Sequence, residues 1–179
     1  MAARDTTVGE MRELASKVLQ HVTLRDISLA SLVVRGATPL LSGPFDVEQE
    51  VSVKGEQPDG RNAVQAWAKY EVTAMQNREA QPADQSISVD PAWAVTCEFV
   101  ADYPCDSGSL PEFNADELSA FALLVGLMAI HPYARETVQS MTGRLGYPPF
   151  TLEMLTPVSG EADDVVIKMS EAVETEQDY

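Results

Sequence analysis

Between Leu118 and Ile130 the chain reads LSAFALLVGLMAI without a single charge, and His131, Pro132 and Arg135 then close the run. A bilayer-crossing helix needs roughly 20 apolar residues, so this stretch is too short to span a membrane and must be covered by protein. Asp116 and Glu117 precede it, and Asp163, Asp164, Glu171, Glu174 and Glu176 follow at a distance. Apolar residues continue past the proline to Leu155, so a large greasy surface sits within an otherwise acidic chain.

At 179 residues the chain has the size of one domain. Its net charge of -16 opposes the phosphate contacts that drive nucleic-acid binding. The same charge attracts basic polypeptide segments, so a basic client fits better than an acidic one. The N-terminus, MAARDTTVGEMREL, lacks a secretory apolar core and carries the acids that transit peptides avoid, which places the protein in the cytoplasm. Thiols stay reduced there, so Cys97 reads as a buried apolar residue and Cys105 as a free loop thiol.

Residues 1–7 read as a disordered N-terminus. Met11, Leu14, Ala15, Val18 and Val22 then recur on one helical face, predicting an amphipathic helix from Val8 to Val22. Four strand patterns follow. Leu24 to Arg35 is rich in Leu, Ile and Val, with Ile27, Leu29 and Val33 in alternating register until Gly36 and Pro39. Phe45, Val47, Val51 and Val53 alternate with polar residues, as expected of a half-buried strand. Val64, Ala66, Ala68, Tyr70, Val72 and Ala74 share one face of a third strand, whose other face is polar except for Trp67. Trp93, Val95, Cys97, Phe99, Ala101 and Tyr103 share one face of a fourth. The modest connections between them predict an antiparallel meander.

Asn114 with Glu117 three residues later has the form of an N-cap and its reciprocal carboxylate. A helix is expected from there to Ile130. Pro132, unsuited to a helix interior but tolerated in a first turn, predicts a second helix over 132–144 ending at Gly143 and Gly146. Residues 8–158 thus form one domain, and residues 159–179 read as an acidic, weakly ordered tail.

The sequence offers no reactive constellation. With only His21 and His131, and both cysteines far from either, there is no metal-ligand spacing. His131 reads as a residue bridging two helices. Gly143 and Gly146 close a helix instead of opening one onto a phosphate, and no G-x-S-x-G elbow raises a nucleophile. The expectation is a protein without cofactor, metal or enzymatic activity. Aromatic residues give the positive signal: Trp67 on a polar strand face, and Phe113, Tyr147 and Phe150 in loops or at helix ends. Singly they read as packing beneath loops; together they allow an apolar groove.

Residues 131–152, HPYARETVQSMTGRLGYPPFTL, resemble the signature segment of the SecB chaperone family, an F/H-P-Y-A-R-E helix followed by a glycine corner and a proline elbow. Leu24-Arg-Asp-Ile-Ser-Leu29 is similar to that family's first strand, and AWAVTCEFVAD, residues 92–102, to its last. The resemblance covers about residues 22–158. It implies an α+β fold, a four-stranded antiparallel sheet with C-terminal helices on one side, assembled as a homotetrameric dimer of dimers. It further implies an ATP-independent holdase that takes non-native polypeptides into apolar grooves. Candidate client contacts are Leu40, Phe45, Trp67, Trp93, Tyr103, Phe113, Tyr147 and Phe150; candidate oligomer contacts are Phe121, Leu124, Val125 and Met128.

Export-dedicated relatives dock the SecA motor through acids on the exposed sheet. Asp26 fits one such position, but Ala30 stands where a second acid is expected, and the turn Ala74-Met75-Gln76-Asn77 lacks another. The N-terminal helix is similar to that of SecB-like chaperones that bind the unstructured tail of an antitoxin. Three readings follow: a holdase dedicated to an antitoxin, a general export chaperone delivering to SecA, and a structural or assembly protein of SecB-like fold.

Overall fold

A computed structural model describes residues 5–37, 41–76, 91–105, 108–155 and 166–168. In chain order its elements are β1 (Asp5–Thr7), α1 (Val8–Leu19), β2 (Asp26–Gly36), β3 (Phe45–Glu56), β4 (Ala63–Gln76), β5 (Trp93–Pro104), α2 (Ala115–Phe121), a π-helical turn (Ala122–Gly126), α3 (Leu127–Arg144) and β6 (Val166–Lys168). Thr7 starts α1 through a capping box: its backbone N–H donates to Glu10 Oε2 at 2.8 Å, and the Glu10 N–H donates back to Thr7 Oγ1 at 3.3 Å. Val8, Met11, Ala15 and Val18 line the buried face of α1. Asp5–Thr7, assigned from sequence to a disordered end, pairs antiparallel with Val166–Lys168 of the acidic tail.

The main sheet is antiparallel in the order β2-β5-β4-β3. Only β3, β4 and β5 form the expected meander; β2 lies beside β5 in a Greek-key arrangement. The helix-facing side chains of β5, from Trp93 to Tyr103, are all buried. Such a strand needs a neighbour on each side, and β2 supplies the second.

A bulge at Ala30, between the Leu29–Phe99 and Ser31–Glu98 pairs, changes the register expected for β2. Leu29 opposes Phe99, Leu32 opposes Cys97 and Val34 opposes Val95, so these three share the helix-facing side. Val33, opposite Thr96, turns to the open side.

α2, the π turn and α3 form one continuous helix, Ala115–Arg144, across one face of the sheet. Pro132 does not divide it as the sequence predicted. A proline removes the hydrogen bond to the carbonyl four residues back. Both Pro132 and Met128 lie on the exposed side, where solvent can satisfy that carbonyl.

Two glycines bring this helix close to the sheet. A Cβ on Gly55 would stand 2.1 Å from the Leu118 carbonyl oxygen, and one on Gly126 2.2 Å from Ala66 Cβ. The predicted cap is present: the Glu117 N–H donates to Asn114 Oδ1 at 2.9 Å and the Asn114 N–H to Glu117 Oε2 at 3.1 Å. Lys17 Nζ reaches Glu117 Oε1 at 3.0 Å and ties α1 to α2. The Lys17 hydrogen bond, followed by the Asn114 N–H, holds the Glu117 carboxyl below the usual carboxylate range.

Candidate client-binding surface

Four of the aromatic residues singled out from sequence meet at one end of the sheet. Phe45 opens β3 and Trp93 opens β5, and the corner after α3 supplies Tyr147 and Phe150. Phe45 packs edge-on to Tyr147 with ring centroids 5.7 Å apart, and Trp93 lies tilted against Phe150, also at 5.7 Å. Thr142 in the last turn of α3 anchors this corner. Its hydroxyl donates to the Val138 carbonyl at 2.9 Å and accepts from the Phe150 N–H at 2.9 Å. The Leu41 N–H donates to the Tyr147 hydroxyl at 3.3 Å. Trp93 and Tyr147 are buried, while Phe45 and Phe150 are half-buried at the rim.

The other candidates lie elsewhere. Trp67 faces the open side of the sheet, its Nε1–H donating to Glu56 Oε1 at 2.9 Å. Phe113 stacks near His21 at the opposite end, with ring centroids 6.0 Å apart. Tyr103 is core and not surface: it projects inward from β5 and meets Phe121 edge-on at 4.9 Å. The same contact buries Phe121 in the core of the chain, away from an oligomer-facing position. Leu124 and Val125 are half-buried, and Met128 is exposed on the outer side of α3. Asp26 is exposed and accepts from Ser28 Oγ at 3.0 Å. Leu40 lies outside the described residues.

One exposed apolar stretch was not singled out from sequence as a contact surface. On β2, Leu29 is 45 %, Leu32 37 % and Val33 48 % exposed. Leu29 and Leu32 are on the side that the helix covers over β4 and β5, but α3 packs against those inner strands and leaves the edge open. An uncharged run from Ile27 to Val34 was the available signal.

A groove of about 570 Å³ runs between the outer side of α3 and residues 151–155, with Met128, Pro132, Arg135, Met154 and Leu155 among its walls. His131 holds it together. The ring Nε2 is 2.8 Å from the Glu153 carbonyl, which can only accept, so Nε2 carries the proton. Nδ1, 3.1 Å from the Tyr70 hydroxyl, then accepts from that phenol. Burial raises the Tyr70 pKa and keeps the phenol protonated. Instead of joining two helices, His131 bolts the 151–155 segment through α3 to the sheet core. Burial also pushes the Cys97 thiol up to about 11, so it packs as a small apolar group. Neither Cys97 nor Cys105 forms a disulfide, and Cys105 bridges by backbone to Val22. Among the described residues no cluster of His, Cys, Asp or Glu could hold a metal ion.

No family model matches the sequence. Two curated proteins do. The SecB-like chaperone MT2006 of Mycobacterium tuberculosis strain CDC 1551 is 30 % identical over 164 residues, covering 84 % of this chain and 88 % of that protein. The SecB-like chaperone Rv1957 of strain H37Rv is 30 % identical over 166 residues, with the same coverages. This chain belongs to the SecB-like chaperone family. A solved structure of Mycobacterium tuberculosis Rv1957, in complex with a ChAD peptide from the HigA1 antitoxin, matches with a TM-score of 0.61 at 20 % identity, covering 82 % of this chain and 98 % of that one. That likeness establishes the SecB-like fold, here a four-stranded antiparallel sheet beneath a long C-terminal helix. Among the described residues of this SecB-like chain, exposed large apolar side chains include Leu29, Leu32 and Val33 on β2 and Met128 and Met154 beside the α3 groove.

Proposed function

We propose that this SecB-like protein is an ATP-independent holdase that keeps an unstructured polypeptide soluble, and that its principal client is the antitoxin of a toxin-antitoxin pair. The apolar surface left open on β2 and along α3 carries the reading, because a closed structural protein has no use for it. Apolar burial is worth roughly 25 cal/mol per Å² and demands no particular partner, which suits extended chains of varied sequence. Backbone hydrogen bonds to the free edge of β2 add affinity without adding sequence preference. The relative whose structure holds an antitoxin peptide supports the choice of client. A cytoplasmic homotetramer, paired around Leu124 and Val125 in the π-helical turn and leaving Met128 to the groove, completes the reading.

The test is light scattering from an aggregating, thermally unfolded reporter enzyme, with purified protein and no nucleotide. Suppression near stoichiometric amounts is expected. Undiminished scattering there would sink the holdase reading.

A further inference from the structure

Arg135 stands in the wall of the α3 groove, half-buried, beside Met128, Pro132, Met154 and Leu155. Its Nη1–H donates to the Met154 thioether, a weak acceptor. Lys17, Arg25, Lys54 and Lys69 each pair with a carboxylate, whereas Arg135 has no such partner among the described residues. In a chain with a net charge of -16, a partly desolvated guanidinium fork is thus held by sulfur alone. Met154 is 71 % exposed and its flexible side chain can swing aside.

We propose that Arg135 is a specificity-determining residue of the groove, and that the groove takes an extended, overall basic segment carrying an isolated Asp or Glu beside a large apolar residue. The apolar side chain enters among Met128, Pro132 and Leu155. The carboxylate displaces the Met154 sulfur and receives paired N–H donors from Arg135, a stronger, charge-assisted contact. The acidic surface draws in the basic segment, while the one cation fixes its register. Glu136, on the exposed side of the groove, disfavours a run of acids and admits a flanking lysine. This deepens the proposed holdase reading and rests on it.

The test uses the full chain and two fluorescein-labelled peptides, both lysine-containing and with a central Leu-Glu pair in one and Leu-Gln in the other. Anisotropy titrations compare the wild-type protein with Arg135→Gln and Arg135→Lys, each checked for native circular dichroism. Wild type is expected to prefer the Glu peptide about tenfold, the scale of one charge-assisted hydrogen-bond pair. Arg135→Gln should lose that preference while keeping its affinity for the Gln peptide, and Arg135→Lys should restore part of it. Equal affinity of wild type for both peptides, or an undiminished preference in Arg135→Gln, overturns the proposal and leaves the holdase reading standing. Binding of neither peptide overturns both.

Discussion

The centre of the sheet and its β2 edge are built from similar alternating apolar sequence, yet they end in opposite states. On β4 and β5 every helix-facing residue from Val64 to Ala74 and from Trp93 to Tyr103 is buried, with Gly55 and Gly126 letting the long helix settle onto the sheet. On β2, Leu29 and Leu32 face the same way and remain open. Residue type therefore does not separate buried from open positions here. The reach of a single helix does.

Substitutions in the sealed centre and on the open edge should behave in opposite ways. Phe121→Ala removes a fully buried ring packed on Tyr103, and should cost about 3–5 kcal/mol in urea unfolding. A cost near zero would mean that the helix does not seal the centre. His131→Leu tests the link from the sheet centre to the 151–155 segment. It leaves the buried Tyr70 hydroxyl without its acceptor and the Glu153 carbonyl without its donor, a cost of about 1–3 kcal/mol. Amide exchange over residues 151–155 should quicken in that variant; unchanged exchange would show that the groove wall does not depend on the histidine.

Leu29→Ser combined with Leu32→Ser should change stability by less than about 1 kcal/mol, as exposed positions do. It should nonetheless weaken client binding markedly in the scattering assay, and intact suppression would remove β2 from the client surface. The smallest effect concerns pH. Glu117 has its folded-state pKa depressed by Lys17 and the Asn114 N–H, so its contribution is present above the ordinary carboxylate range and lost as pH falls through the lowered value. Urea midpoints measured down through acid pH should fall less steeply for Glu117→Gln than for wild type, and parallel profiles would exclude the contribution.

Local order was legible in the sequence wherever it depended on neighbouring residues. The alternation of Phe45, Val47 and Val53, the inward faces of β4 and β5 and the Asn114–Glu117 cap all follow from spacing alone. What depended on distant partners was not legible. The place of β2 beside β5 is set by pairing across the chain, and the bulge at Ala30 moves Leu32 and Val34 to the face that strict alternation gives to Val33. Pro132 passed for a break because its tolerance depends on which side of the helix meets solvent. The same limit applies to the site. Residue type marked Tyr147 and Phe150 as unusual, but grouped them with Trp67 and Phe113, which lie elsewhere; the pairing with Phe45 and Trp93, the inward turn of Tyr103 and Phe121, the open Leu29–Leu32 edge and the His131 bolt required the assembled layers.

Photocrosslinking addresses the central contrast most directly. A photoreactive side chain placed singly at Leu32, at Met154 and at Trp67 is illuminated with an unfolded client bound. Client adducts are expected from Leu32 and Met154 and few from Trp67, whose indole is turned to the open side of the sheet against Glu56. Adducts confined to Trp67 would contradict that expectation and move the client to the face the helix does not share.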